Sequence, residues 1–92
     1  MKKIIDIDAH ALFRALERGM QFGLSYYETK DRAFTTVRAE KQAKRKHRSR
    51  KGITYYHYFH DNVSFYVICR ERTYEKYQKL LIKTIIIEEG RE

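Results

Sequence analysis

The chain has 92 residues, one cysteine, no proline, and 20 Lys/Arg against 12 Asp/Glu, a formal net charge of +8. That length holds a single domain, read as residues 1–92, with a small core that buries roughly 60–65% of the unfolded surface. A lone cysteine excludes an internal disulfide and a zinc constellation, and no apolar run approaches the length of a membrane span.

The opening, MKKIIDIDAH, carries two lysines and no long apolar stretch. No signal peptide is expected, and the protein reads as cytoplasmic with no membrane partner. The positive charge argues for a polyanionic partner, nucleic acid first and an acidic protein next, and says nothing about fold.

Lys3 to Ile7 is a short apolar alternation, expected as a strand. Asp8 is a good helix N-cap. From there Ala9, Leu12, Phe13, Leu16 and Met20 follow helical spacing, with His10, Arg14 and Arg18 forming one ridge on the other side. Gly23 is the expected stop. Ser25-Tyr26-Tyr27-Glu28 matches a capping box and opens a second helix, whose apolar side includes Tyr27, Ala33, Phe34 and Val37. Apolar periodicity then ceases. Arg38 to Lys51 holds eight cations and one anion, Glu40. Nothing in it can bury a face, so the helix is expected to fray into a mobile basic loop closed by Gly52.

Ile53 to Arg70, ITYYHYFH-DN-VSFYVICR, is the strongest local signal in the chain: two β-rich runs around Asp61-Asn62. If these two residues form the whole turn, His60 faces Val63 and Tyr58 faces Phe65. Thr54, Tyr56, Tyr58, Phe65, Val67 and Cys69 then share a core face. Tyr55, His57, Ser64, Tyr66 and Arg70 share the other. Glu71 to Lys79 reads as a loose connection, and Leu80 to Glu88 as a further strand. The expected fold class is α+β: two N-terminal helices on one face of a small antiparallel β-meander, in the order βααβββ or ααβββ.

His10-Ala-Leu-Phe-Arg14-Ala-Leu-Glu-Arg18-Gly19 resembles the opening helix of a family of small uncharacterised domains that begin H-A-x-x-R-x-x-x-R-G. That family is similar to BrnT and to the RelE/ParE-type toxins of toxin–antitoxin pairs. The resemblance implies an α+β domain whose concave sheet faces nucleic acid. RelE-like members cleave messenger RNA, often on the ribosome, ParE-like members inhibit gyrase, and the resemblance allows an acidic antitoxin as a partner. Fold alone does not choose among these.

RNA cleavage through its own 2′-hydroxyl needs a base, an acid and cations around the phosphate, and no metal or other cofactor. On the hairpin register above, His57 is the candidate base or acid, since a histidine titrates near about 6.5. Arg70 and Arg72 are the candidate phosphate clamps, and Tyr66, which flanks His57 and could stack on a base, completes the catalytic group. Tyr55 is a candidate base-stacking ring. Lys44, Arg45, Lys46, Arg48, Arg50 and Lys51 are the candidate backbone contacts. His10 is expected to fix helix packing by a hydrogen bond to the sheet. The functional readings are a toxin-type mRNA interferase, a non-catalytic RNA- or DNA-binding module, and a protein-targeting toxin or antitoxin-binding domain.

Overall fold

Asp8 is the junction from which the architecture develops in the computed structural model, which describes residues 2–44 and 52–92. Strand β1 (Lys2–Ile7) ends there, and helix α1 (Ala9–Gln21) begins. The Asp8 carboxylate accepts from the backbone N–H groups of His10 at 2.9 Å and Ala11 at 3.3 Å, capping the helix as expected. Lys83 donates to its second oxygen at 3.1 Å. The Lys83 hydrogen bond, then the cap, holds this carboxyl below its ordinary range.

The side of α1 that is buried is not the one with the largest side chains. Ala11, Ala15 and Gly19 are buried, whereas Phe13 and Met20 are 71% and 73% exposed. The apolar arc is wider than the contact, and small residues occupy the part of it that touches the rest of the protein. Arg18 of the same helix donates to the carbonyl of Ile85. The sheet partner β1 stops opposite Ile82, so this donor serves a carbonyl beyond the end of that pairing. His10, expected to make such a bond, is exposed, and among the described residues only its backbone N–H is engaged.

Gly23, at φ 74°, closes α1 in a Schellman turn: its N–H reaches the Met20 carbonyl and that of Leu24 the Gly19 carbonyl. Ser25 and Glu28 form the capping box at the start of α2 (Tyr26–Arg38), each side chain accepting from the other's backbone N–H at 3.1 Å. The buried side of α2 is Thr29, Ala33, Thr36 and Val37. Both threonine hydroxyls donate to carbonyls four residues back, which satisfies them in the core. Tyr27, expected on that side, is 80% exposed.

The described strands form one mixed sheet, ordered β1-β4-β3-β2, with β2 (Ile53–Phe59), β3 (Val63–Thr73) and β4 (Tyr77–Glu89) antiparallel and β1 parallel to β4. Both helices lie on one face, over a core of Ala15, Leu24, Ala33, Val37, Phe65, Val67, Leu80, Ile82 and Ile85 among others. The α+β class and the placement of the helices are as the sequence implies. The connection after Arg70 is not loose: β3 continues to Thr73, and only Tyr74, Glu75 and Lys76 separate it from β4. A bulge between Ile68 and Cys69 sets Lys83 outside the pairing. It brings both Ile82 and Ile85 to the core and leaves Lys83 to reach Asp8.

The hairpin register differs from the expected one by a residue. Phe59 pairs with Val63 and Tyr56 with Tyr66, so the loop is His60-Asp61-Asn62. Asn62 takes φ 66° and donates its N–H to the Phe59 carbonyl at 3.1 Å, the geometry of a three-residue hairpin loop. A two-residue turn of type I′ needs positive φ at both positions, and Asp61 does not have it. Arg32 on α2 holds the loop, donating to both Asp61 oxygens at 2.9 and 2.8 Å and lying 4.7 Å from the centre of the Phe59 ring.

A one-residue slip exchanges the faces of a strand. Here it exchanges those of β2 and leaves β3 as expected. Ile53, Tyr55, His57 and Phe59 join Phe65, Val67 and Cys69 on the helix side, while Tyr56 and Tyr58 join Ser64, Tyr66 and Arg70 on the other, so His57 is parted from Tyr66 and Arg70.

Cys69 is buried on the helix side, and burial alone pushes its thiol up to about 12. In the unfolded chain it titrates near its ordinary value, about 8.5. Its contribution to stability is therefore complete below about pH 8.5 and is lost as pH rises from there towards 12. Denaturation midpoints measured across that window are expected to fall more steeply for the wild-type protein than for Cys69→Ala. Parallel slopes would show that the thiol is not protected.

Candidate nucleic-acid interface

The first residues of the basic run do not fray. Tyr56 donates its backbone N–H to the Lys41 carbonyl at 2.7 Å, and Ala43 donates to the Thr54 carbonyl at 2.9 Å. Gln42 bridges Tyr55 in antiparallel fashion. Residues 41–43 thus cover part of the outer edge of β2, an edge that would otherwise leave backbone groups unpaired. The segment also carries the side chains of Lys41 and Lys44 to the tyrosines of β2.

A cleft of about 360 Å³ results, lined by Lys41, Lys44, Tyr56, His57, Tyr58, Arg91 and Glu92. The Lys41 ammonium lies 5.6 Å from the centre of the Tyr56 ring, and the Arg91 guanidinium 4.5 Å from that of Tyr58. Both are within cation–π range. The floor is tied by hydroxyls. Tyr56 and Ser64 share a hydrogen bond of 3.1 Å, and Ser64 donates to the Gly90 carbonyl. The Glu92 backbone N–H donates to the Tyr56 hydroxyl at 3.1 Å, while its carboxylate accepts from the Lys44 N–H at 3.1 Å and the Tyr66 hydroxyl at 3.4 Å. An acidic side chain therefore sits among donors that an anionic ligand could use.

The residues expected to form a catalytic group are not brought together. Tyr55 is 7% exposed in the core, where burial raises its phenol above the ordinary value, so it has no ring face to offer a base. Tyr66 is 1% exposed beneath the cleft. Arg70 and Arg72 lie in another recess, with Glu71, Tyr74, Lys79 and Leu81. Strand rise puts Arg72 about 20 Å from Tyr66 along β3. His57 alone of that group borders the cleft, but its ring lies on the helix side of β2, edge-on to Phe59 at 4.6 Å between centres. Lys44 is placed in the cleft as well, whereas Arg45, Lys46, Arg48, Arg50 and Lys51 lie outside the described residues.

Tyr56 and Tyr58, assigned by the shorter turn to the core, are in the cleft instead. One signal for this was present: Ile53 and Phe59, the apolar ends of β2, share parity with Tyr55 and His57. Arg91 had no signal, because a tail residue is placed only by what it packs on.

Among the described residues, no three His, Cys, Asp or Glu side chains gather where a metal could be held, and no helix is long and apolar enough to cross a membrane. Fold and cleft together define a small α+β domain with a cation- and tyrosine-lined groove at one edge of its sheet. Comparison with protein-family models, curated proteins and solved structures finds no match to this chain.

Proposed function

We propose that the protein binds single-stranded nucleic acid, RNA in the first place, at the β2 edge. The observation that carries this reading is the half-buried Tyr58 ring, with the Arg91 guanidinium over it, in a cleft that Lys41 and Lys44 also line and whose floor is the buried Tyr56. Rings stack on unpaired bases whatever their identity, and cations beside them follow the phosphates. Lys41 and Lys44 of the basic run and Arg91 of the tail line the cleft, so positive charge that favours a polyanion is local to it.

A second reading is cleavage of the bound RNA through its 2′-hydroxyl, as in the RelE-like toxins the opening helix resembles, with His57 at the cleft border as the candidate base or acid. His57 borders the same cleft as Lys41, Lys44 and Arg91, with its ring on the helix side of β2 against Phe59, so it meets RNA that wraps the strand edge. There it can take or give a proton while the cations stabilise charge on phosphorus. The clamp in this version is Lys41, Lys44 and Arg91, in place of Arg70 and Arg72.

Both readings are tested with purified protein and end-labelled single-stranded RNA. Anisotropy across a salt series is expected to give affinity falling linearly in log–log form. Gel analysis of the same mixtures scores cleavage, beside His57→Gln. Intact RNA with salt-dependent binding selects the binding module. Cleavage that His57→Gln abolishes selects the ribonuclease. Absence of binding at low salt removes both.

A further inference from the structure

The sheet face that carries the cleft has a second cationic recess at its far end. Arg70 and Arg72 point to the same side of β3, two residues and about 7 Å apart. Lys79 of β4 is paired directly opposite Arg72. With Glu71, Tyr74 and Leu81 these three cations line a recess of about 300 Å³. Glu71 belongs to the helix side of its strand and is engaged by Gln78, and the nearest acid to Lys79 is Asp6, at 3.9 Å across an exposed gap. Arg70 and Arg72 are exposed and have no side-chain hydrogen bond or ion pair among the described residues.

Such an arrangement is unfavourable in the free protein. Like charges directly opposed across two strands destabilise the pair. An anion bound between them removes that penalty, and a guanidinium offers paired donors suited to a phosphate. The interval between Arg70 and Arg72 is comparable to that between successive phosphates of a stretched single strand.

We infer that Arg70, Arg72 and Lys79 form a second phosphate-binding site for the same single-stranded ligand, so that a strand of several nucleotides engages the cleft and this recess together. The inference rests on the cleft being a nucleic-acid site, and adds a length requirement to it. A very short oligonucleotide reaches only one site. One long enough to bridge about 20 Å reaches both and binds more tightly.

The test uses labelled oligouridylates of two and about 12 nucleotides: the first cannot bridge about 20 Å, and the second falls within the site sizes found in small single-strand-binding domains. The proteins are wild type, Arg70→Gln/Arg72→Gln, and Lys41→Gln/Lys44→Gln/Arg91→Gln. At about 0.15 M salt the arginine variant is expected to lose about 15-fold in affinity for the longer strand, with the log–log salt slope reduced by about 1.4. Its affinity for the shorter strand is expected to stay unchanged, and its melting temperature to stay level or rise as the repulsion is relieved. Equal affinity of wild type and arginine variant for the longer strand overturns the second site. If the cleft variant still loses binding in that case, the cleft reading stands by itself. Failure of wild type to bind either length overturns both.

Discussion

Lys41→Gln/Lys44→Gln/Arg91→Gln is expected to bind single-stranded RNA about 50-fold more weakly than wild type at about 0.15 M salt, with a log–log salt slope smaller by about 2. The magnitude follows from counterion release, at roughly 0.7 of slope for each phosphate contact on a single strand. The fold should be unaffected. Residues 41–43 are held to β2 by backbone groups, the Lys41 carbonyl and the Ala43 N–H, and those remain. Arg91 and Lys41 touch the tyrosines only from above the ring. A variant with wild-type affinity and slope would show that these cations are not the contact. Adding Tyr58→Ala separates stacking from charge, because loss of a ring lowers affinity without changing the slope.

Gly19→Ala is expected to destabilise the protein by about 2 kcal/mol, or roughly 10 °C in melting temperature for a domain of this size. In an open helix the same change would stabilise by about 1 kcal/mol, since alanine is the better helix former. Here a Cβ at position 19 would lie 2.1 Å from the Thr29 hydroxyl oxygen and 3.0 Å from its methyl. Thr29 is 1% exposed, and its hydroxyl is committed to the Ser25 carbonyl at 2.9 Å, so it has little room to yield. The two helices meet at this point because neither presents bulk there. Thr29→Ala in the Gly19→Ala background removes both clashing atoms and should recover most of the loss. If Gly19→Ala melts at or above the wild-type temperature, the close approach of α1 and α2 is wrong.

Local chemistry accounts for the element boundaries that sequence reading places well. Asp8, Gly23 and the Ser25–Glu28 box each satisfy backbone groups within a few residues, and no distant partner is needed to recognise them. The Ile-rich end of the chain is a strand for a similar reason, since branched side chains suit a half-buried sheet. What periodicity could not rank was which part of an apolar arc is covered. Phe13 and Met20 have the right spacing, yet Ala15 and Gly19 make the contact, because the distance between packed layers rewards small residues there.

The candidate site was legible in part. Its location beside the basic run, and the presence of His57 and Lys44 in it, follow from the order of residues along the chain. The grouping of His57 and Tyr55 with Tyr66 and Arg70 depended on parity, and parity depends on the length of one loop.

From sequence alone come the order of the elements, the caps, the α+β class and a cationic segment next to a tyrosine-rich hairpin, since each depends on interactions between near neighbours. Which tyrosines lie on the cleft side of β2 was decided only in three dimensions. Arg32, twenty-nine residues from Asp61, grips the loop, Asn62 turns left-handed, and the helices require Ile53 and Phe59 beneath them. A strand has two faces and its residues alternate between them, so that one extra loop residue put Tyr56 and Tyr58 in the cleft and Tyr55 in the core.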